Sequence, residues 1–330
     1  MKPVLFASTK PLERAENLRT MYEAYDGDKA HVQVNPWRKH PEIRSGKYDL
    51  MVIDEYPTES PGQAILIGHG IEGGKTVGLD QPYPYYRREE GDLITYHVVG
   101  GTGMVECIAK SDGIPKERVL PLGLPRTDEY VTARKGDGKT FMAEKRSYLY
   151  APTYRTREEP SLPDIDWEWL DELLRDDEQI VVKVHTMTGK ILKRSYRHIV
   201  EIDPYEPTAP YLMDCDAVIS DYSTIIFDGY LLGKPAVMLE KQEGYMEARG
   251  MYLQYPEQYC SRYCTNEHEM LMMLREANGL TATEQECLHL VADACDGPIC
   301  SLMCYPLLQA HLHLKLQTTL QDERVEKFST

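Results

Sequence analysis

Short, uniformly apolar runs alternate with amphipathic stretches along most of this chain. Runs at 3–8, 31–34, 49–54 (DLMVID), 63–70 (QAILIGHG), 93–99 and 118–123 (RVLPLG) read as strands, and 12–24 spaces its apolar residues as a helix does. An apolar helix follows Gly100-Gly101-Thr102-Gly103 and reaches about Ala109. A second series has strands at 147–151, 179–185, 199–203, 217–219 and 236–239, with helices at 166–174 (DWEWLDELL) and 207–214 between them. The helix before the 236–239 strand carries Ile225, Ile226, Phe227, Tyr230, Leu231 and Leu232, and Gly233 and Pro235 close it. Beyond Leu239 the pattern blurs into a segment marked by Tyr245, Tyr252, Tyr255, Tyr259 and Tyr263, followed by helical patterns at 266–277 and 283–293. Asp296-Gly297-Pro298 breaks the chain before a final long helix expected over 301–320. Strands alternating with helices predict an α/β fold with parallel sheets covered on both faces. The charged, glycine-containing stretch at 134–146 lacks an apolar period and reads as the linker between two such halves, whose strand-end turns would flank one cleft.

Composition narrows the partners. The chain has 330 residues and a formal net charge of −16, which argues against a nucleic-acid backbone and against electrostatic docking to an anionic membrane face. Any membrane association would come only through an acceptor. The N-terminal apolar run is too short for a signal peptide, and nothing approaches the ~20 apolar residues of a spanning helix, so a cytoplasmic setting is expected. Eight cysteines stand at 107, 215, 260, 264, 287, 295, 300 and 304 without C-x-x-C spacing, and read as buried free thiols rather than metal ligands. The 23 tyrosines, against four Phe and three Trp, suit clefts and surfaces but name no ligand.

Candidate chemistry gathers where apolar strands give out, because parallel sheets bind ligands at the carboxyl ends of their strands. His69 stands between two glycines after one strand, and Arg126 lies in the turn 124–128 after another. The second half offers Thr153, Arg155, Lys183, His185, Asp221, Ser223, Thr224 and Asp228. Two hydroxyls at a helix start can receive an anion, although taken alone Ser223 and Thr224 read more simply as helix caps. The guanidinium forks of Arg126 and Arg155 match phosphate, though Arg126 can instead pair with Asp128 and Arg155 with Glu158 or Glu159. Lys183 and His185 alternate along their strand and so point to one face. Asp221 and Asp228 can organise the turn through backbone N–H groups, or Asp228 can accept from a substrate hydroxyl. The Gly100–Gly103 turn only partly resembles a dinucleotide fingerprint, since Glu106 stands where the third glycine would, and close helix packing explains it as well.

Five of these motifs, in this order and at these intervals, resemble the CDP-glycerol glycerophosphotransferases, the teichoic-acid primase and polymerase enzymes. They are Gly68-His69-Gly70, the Gly-Leu-Pro-Arg-Thr-Asp of 123–128, the Tyr-Ala-Pro-Thr-Tyr-Arg of 150–155, Lys183-Val184-His185, and Ser220-Asp221-Tyr222-Ser223-Thr224 with Phe227-Asp228. The resemblance covers roughly 63–305. It implies a GT-B architecture of two Rossmann-like domains: an acceptor-side domain over 1–140, a donor nucleotide domain over 141–305, and a C-terminal helix over 306–330 able to pack back on the first. It implies transfer of glycerol phosphate, or a similar polyol phosphate, from CDP-glycerol or a related CDP-polyol to a hydroxyl-bearing glycan or polyol-phosphate acceptor, releasing CMP. By motif position His69 would be the general base and His185 would act on the donor phosphates. Ser223 and Thr224 would hold the diphosphate, Thr153, Arg155 and Lys183 would line the same pocket, and Arg126 would be a supporting charge. No cofactor and no metal are expected, because fixed donors replace them. This chain departs from the family in having Thr186 where a proline usually follows the second histidine. A nucleotide-sugar glycosyltransferase on the same scaffold, or a non-catalytic nucleotide-binding assembly subunit, are the alternative readings.

Overall fold

The computed structural model describes residues 2–35, 38–54, 59–68, 70–71, 95–131, 133–154, 162, 164–186, 188–240 and 257–295. The strands of the first sheet are β1 (Val4–Ser8), β2 (Lys29–Gln33), β3 (Leu50–Ile53), β4 (Gln63–Leu66), β5 (Tyr96–Val99) and β6 (Val119–Pro121), arranged β2-β1-β3-β4-β5-β6. Those of the second are β7 (Arg146–Tyr150), β8 (Glu178–Val182), β9 (Ile199–Glu201), β10 (Ala217–Ser220), β11 (Ala236–Leu239) and β12 (Tyr263–Cys264), arranged β12-β11-β10-β7-β8-β9. Every pairing in both sheets is parallel. β1, β3, β8, β10 and β11 are buried along their whole length, as parallel strands covered on both faces must be. This is the α/β, GT-B-like arrangement expected.

Helices cover the sheets: α1 (Glu16–Ala24), α2 (Val105–Asp112), α3 (Trp167–Leu173), α4 (Ala209–Asp214), α5 (Ile225–Leu231), α6 (Glu267–Glu276) and α7 (Ala282–Ala292). Three start on a side chain that accepts from the first turn: Asp166 from the N–H of Trp169, Asn266 from Glu269, and Thr281 from Glu284 in a capping box. α1 lays Leu18 and Met21 on Phe6, Val52 and Ile65 of the first sheet. α3 and α6 lay Leu170, Met270 and Leu274 on Tyr148, Ile180 and Ile219 of the second.

The largest core cluster belongs to both halves, joining Val99, Met104 and Ile108 to Val218, Phe227 and Val291. Its bridge is α7, which comes after the second sheet yet lies on the glycine turn after β5. A Cβ at Gly101 would sit 2.4 Å from the carbonyl carbon of Val291, and one at Gly103 would sit 2.7 Å from the carbonyl oxygen of Leu290. Asp293 closes the contact by accepting from the Thr102 N–H at 2.7 Å. The glycines that partly match a dinucleotide fingerprint therefore serve backbone-on-backbone packing. The connection between the sheets is also anchored, since buried Asp214 accepts from the N–H groups of Gly136, Gly138 and Thr140 at 2.9, 3.0 and 2.6 Å. The final helix expected over 301–320, the 306–330 segment, Cys300, Cys304, Tyr245, Tyr252 and Tyr255 lie outside the described residues.

Candidate active site

In an open parallel sheet the strand order reverses at one point, and the carboxyl ends of the strands there leave a crevice. In the first sheet the reversal falls between β1 and β3, and in the second between β7 and β10. A cavity of about 700 Å³ is lined by residues from both: Thr9, Lys10 and Asp54 beyond β1 and β3, and Ala151, Pro152 and Ser223 beyond β7 and β10. Gly68, Arg126, Lys183, His185 and Asp228 line it too. That volume suits one small-molecule ligand.

The β10 exit is tied to the β7 exit. The Ser220 hydroxyl donates to the Ala151 carbonyl at 2.6 Å, and Asp221 accepts from the N–H groups of Thr153 and Tyr222, each at 2.7 Å. Asp221 is 2% exposed, so it organises the turn from within. Thr224 occupies the N-cap of α5 without any capping hydrogen bond from its side chain. Ser223 accepts a long bond, 3.4 Å, from the Ile225 N–H. Thr224 therefore does not cap the helix through its side chain, Ser223 does so at long range, and Ser223 also lines the cavity.

Arg126 and Asp228 meet each other across the two halves. Nη2 of Arg126 lies 2.8 Å from both carboxylate oxygens of Asp228, and Nη1 lies 3.5 Å from Glu16. The two side chains are 11% and 4% exposed. Burial works against the Arg126 charge, but Asp228, Tyr130 and Glu16 together outweigh it and raise the pKa; burial pushes the Asp228 carboxyl up, and Arg126 pulls it back only in part. Arg126 thus lines the cavity while paired with Asp228, a partner the sequence alone did not indicate. The phenol of Tyr130, next to the pair, is pushed well above its ordinary pKa by burial.

β8 stops at Val182, so Lys183 and His185 lie just past the strand, and they diverge. Buried Lys183 spends its ammonium on the carbonyl of Pro204 at 2.8 Å, with that of Val184 at 3.4 Å. Burial lowers its pKa against the opposing pull of Glu206 and Asp203. His185 is exposed at the cavity wall, its ring centre 5.0 Å from that of Tyr154. His69 and Arg155 lie outside the described residues. The flanks of His69 are described: the Gly68 carbonyl accepts from Asn17 at 3.2 Å, and a Cβ at Gly70 would meet the Thr224 hydroxyl at 3.4 Å. The first half's Gly70 thus approaches the start of the second half's α5.

The profile of the CDP-glycerol:poly(glycerophosphate) glycerophosphotransferase family matches residues 51–295, three quarters of the sequence and every motif discussed above. The chain belongs to this family. Similar curated proteins include the teichoic acid poly(ribitol-phosphate) polymerase of Bacillus spizizenii, 21% identical over 276 residues, which are 75% of this chain and 44% of that one. The teichoic acid glycerol-phosphate primase of the same species is 30% identical over 193 residues, 56% of this chain and 50% of the relative. The chain spans about half the length of the curated relatives it matches. Among solved structures, the wall teichoic acid polymerase TagF superposes with a TM-score of 0.69 at 18% identity, covering 95% of this chain and 90% of that one. Staphylococcus aureus MnaA with UDP follows at 0.61 and 13%, covering 95% and 98%. At these identities the likeness speaks for the fold alone.

Within this family member, sequence reasoning missed Asn17, Glu16, Tyr130 and the Pro204 carbonyl. A polar residue among the buried Ala15, Leu18 and Met21 is the one signal that could have flagged Asn17. Among the described residues no group of three or more His, Cys, Asp or Glu could hold a metal ion, and no helix is long and apolar enough to cross a membrane.

Proposed function

We propose that the chain transfers glycerol phosphate, or a similar polyol phosphate, from a CDP-activated donor to a hydroxyl acceptor and releases CMP, in the synthesis of a wall or capsule polymer. The observation that carries this reading is a cavity shared by the switch points of both sheets, in a chain of this family. A donor held at the β7–β10 side and an acceptor entering from the β1–β3 side would meet in it. The acceptor oxygen would attack the phosphorus bearing glycerol, forming one P–O bond as the pyrophosphate bridge breaks, and CMP would leave as the phosphate monoester. His69 is assigned the acceptor proton, a role suited to a neutral imidazole.

Ser223 and Thr224, whose hydroxyls are not engaged in a normal cap, are assigned to the donor diphosphate, and His185 to its phosphate oxygens. Thr153 and Arg155 would line the same wall. Lys183, held on the Pro204 carbonyl, would act on the donor through that loop, and Arg126 with Asp228 would set the spacing of the two halves. Fixed donors of this kind stabilise charge without reorganising. Support for a CDP donor comes from the family description and from a solved TagF variant soaked with CDPG. Wall teichoic acid relatives support the polymer class. A cytoplasmic setting is part of this proposal.

The test is a thermal-shift panel with CDP-glycerol, CDP-ribitol, UDP and UDP-sugars. A ligand at 100 times its Kd adds about 2.7 kcal/mol to the folded state, which moves the melting temperature by several degrees. Stabilisation by CDP-polyols, reduced in Ser223→Ala/Thr224→Ala, is expected. Stabilisation by UDP-sugars alone would overturn the donor assignment.

A further inference from the structure

Asn17 is 2% exposed on the side of α1 where Ala15, Leu18 and Met21 enter the core. An amide placed there costs free energy unless its polar atoms are bonded. Both are, and neither bond goes to the helix itself. Nδ2 donates to the Gly68 carbonyl at 3.2 Å, and Oδ1 accepts from the Arg126 N–H at 3.0 Å. The amide orientation follows from these partners, because the flipped form would set oxygen against the Gly68 carbonyl and NH2 against an N–H. Arg126 in turn is clamped by Asp228 of α5 through two 2.8 Å bonds. One continuous polar chain therefore runs from the backbone just before His69 to the helix that begins after Ser223 and Thr224.

We propose that Asn17 is a positioning residue for the transfer, a tether that sets the Gly68 backbone at a fixed distance from the donor-side helix. This rests on the reading of His69 as the base. Asn17 itself touches neither donor nor acceptor; it acts through Gly68 and Arg126. A displacement of about 1 Å at a reacting group can cost on the order of 100-fold in rate, so losing the tether acts on kcat. Donor affinity, which belongs to the β7–β10 side, is largely spared.

Two variants of the full chain separate the bonds. Asn17→Ala removes both, whereas Asn17→Asp keeps an acceptor for the Arg126 N–H but cannot, as a carboxylate, donate to Gly68. Both are expected to lower kcat by about 30-fold or more, with the calorimetric Kd for CDP-glycerol within about threefold of wild type. Circular dichroism checks that each variant is folded. Retention of kcat in Asn17→Asp, or a donor Kd that rises in step with the loss of kcat, would overturn the proposal. Hydrogen exchange supplies a readout independent of activity. In Asn17→Ala, segments 63–71 and 122–130 are expected to exchange roughly 10-fold faster while the central strands stay protected. Unchanged exchange in both segments would also overturn it. A wild type unable to use CDP-glycerol would count against the transfer reading, and the exchange arm would then decide the tether by itself.

Discussion

Removing one member of the Arg126–Asp228 pair should cost far more than removing both. Nη2 of Arg126 bonds both Asp228 oxygens at 2.8 Å, and the pair joins residues 102 positions apart and lies between the two halves with side chains 11% and 4% exposed. Arg126→Met leaves the Asp228 carboxyl buried without its partner, and breaking a buried pair in this way costs about 3–5 kcal/mol. At about 2.1 cal/mol/K of unfolding entropy per residue, 330 residues give ~1.4 °C per kcal/mol, so the melting temperature should fall by roughly 4–7 °C. Asp228→Leu should cost less, because Arg126 keeps Glu16 at 3.5 Å. Combining Arg126→Met with Asp228→Leu replaces the pair by apolar groups of similar volume, and should recover most of the loss. The pH dependence gives a second handle. Burial already pushes the Asp228 carboxyl up, and without the guanidinium nothing pulls it back. A carboxyl raised on folding binds more protons folded than unfolded, so the Arg126→Met protein should lose stability as pH rises from the ordinary Asp value, about 3.9, through the raised one. Differential scanning calorimetry of the singles and the double at pH 5 and pH 8 checks each step. A double variant as unstable as the sum of the singles would refute the reasoning, as would an Arg126→Met protein less stable at pH 5 than at pH 8.

Two further outcomes follow from the packing. Burial pushes the Asp214 carboxyl up, but the Thr140 hydroxyl and the N–H groups of Thr140, Gly136 and Gly138 outweigh it and hold its pKa below the usual value. The stability this contributes is present above the unfolded carboxyl value and lost as pH falls through the lowered one; Asp214→Asn, which turns an NH2 toward those donors, should cost about 2–3 kcal/mol at pH 7 in urea unfolding and flatten that acid limb. Gly101→Ala places a methyl 2.4 Å from the Val291 backbone, where no side chain can give way, and should cost about 2–3 kcal/mol with faster hydrogen exchange in α7. A variant as stable as wild type, with α7 still protected, would contradict the packing role of that turn.

The sheets were legible because parallel strands covered on both faces read as near-continuous apolar runs, as β3 and β11 do. β12 escaped because its two residues, Tyr263–Cys264, carry no period to read. Ser223, Thr224, Asp221, Lys183 and His185 were singled out by their place at strand ends, a topological signal that needs no coordinates. Their partners were not legible in the same way. An arginine in a strand-end turn looks alike whether it will meet a phosphate or a carboxylate from another domain, and only the fold brings Asp228 to Arg126. Lys183 read as a phosphate ligand for the same reason, although the ammonium sits on Pro204. Gly100–Gly103 showed that a backbone would come close but not which one, and it was α7 that came. Asn17 is a single polar residue in an amphipathic helix, and its two bonds depend on turns 51 and 109 positions away.

The central claim is transfer from a CDP-polyol, and its most direct measurement is product analysis by mass spectrometry. CDP-glycerol and a glycerol-phosphate-bearing acceptor are incubated with wild-type protein and with His69→Ala. The wild type should release CMP in step with an acceptor heavier by one glycerol phosphate, while His69→Ala binds CDP-glycerol and forms neither product. Products formed equally by the two proteins would contradict the assignment of His69. No CMP from CDP-glycerol or CDP-ribitol, across glycan and polyol-phosphate acceptors, would contradict the transfer itself.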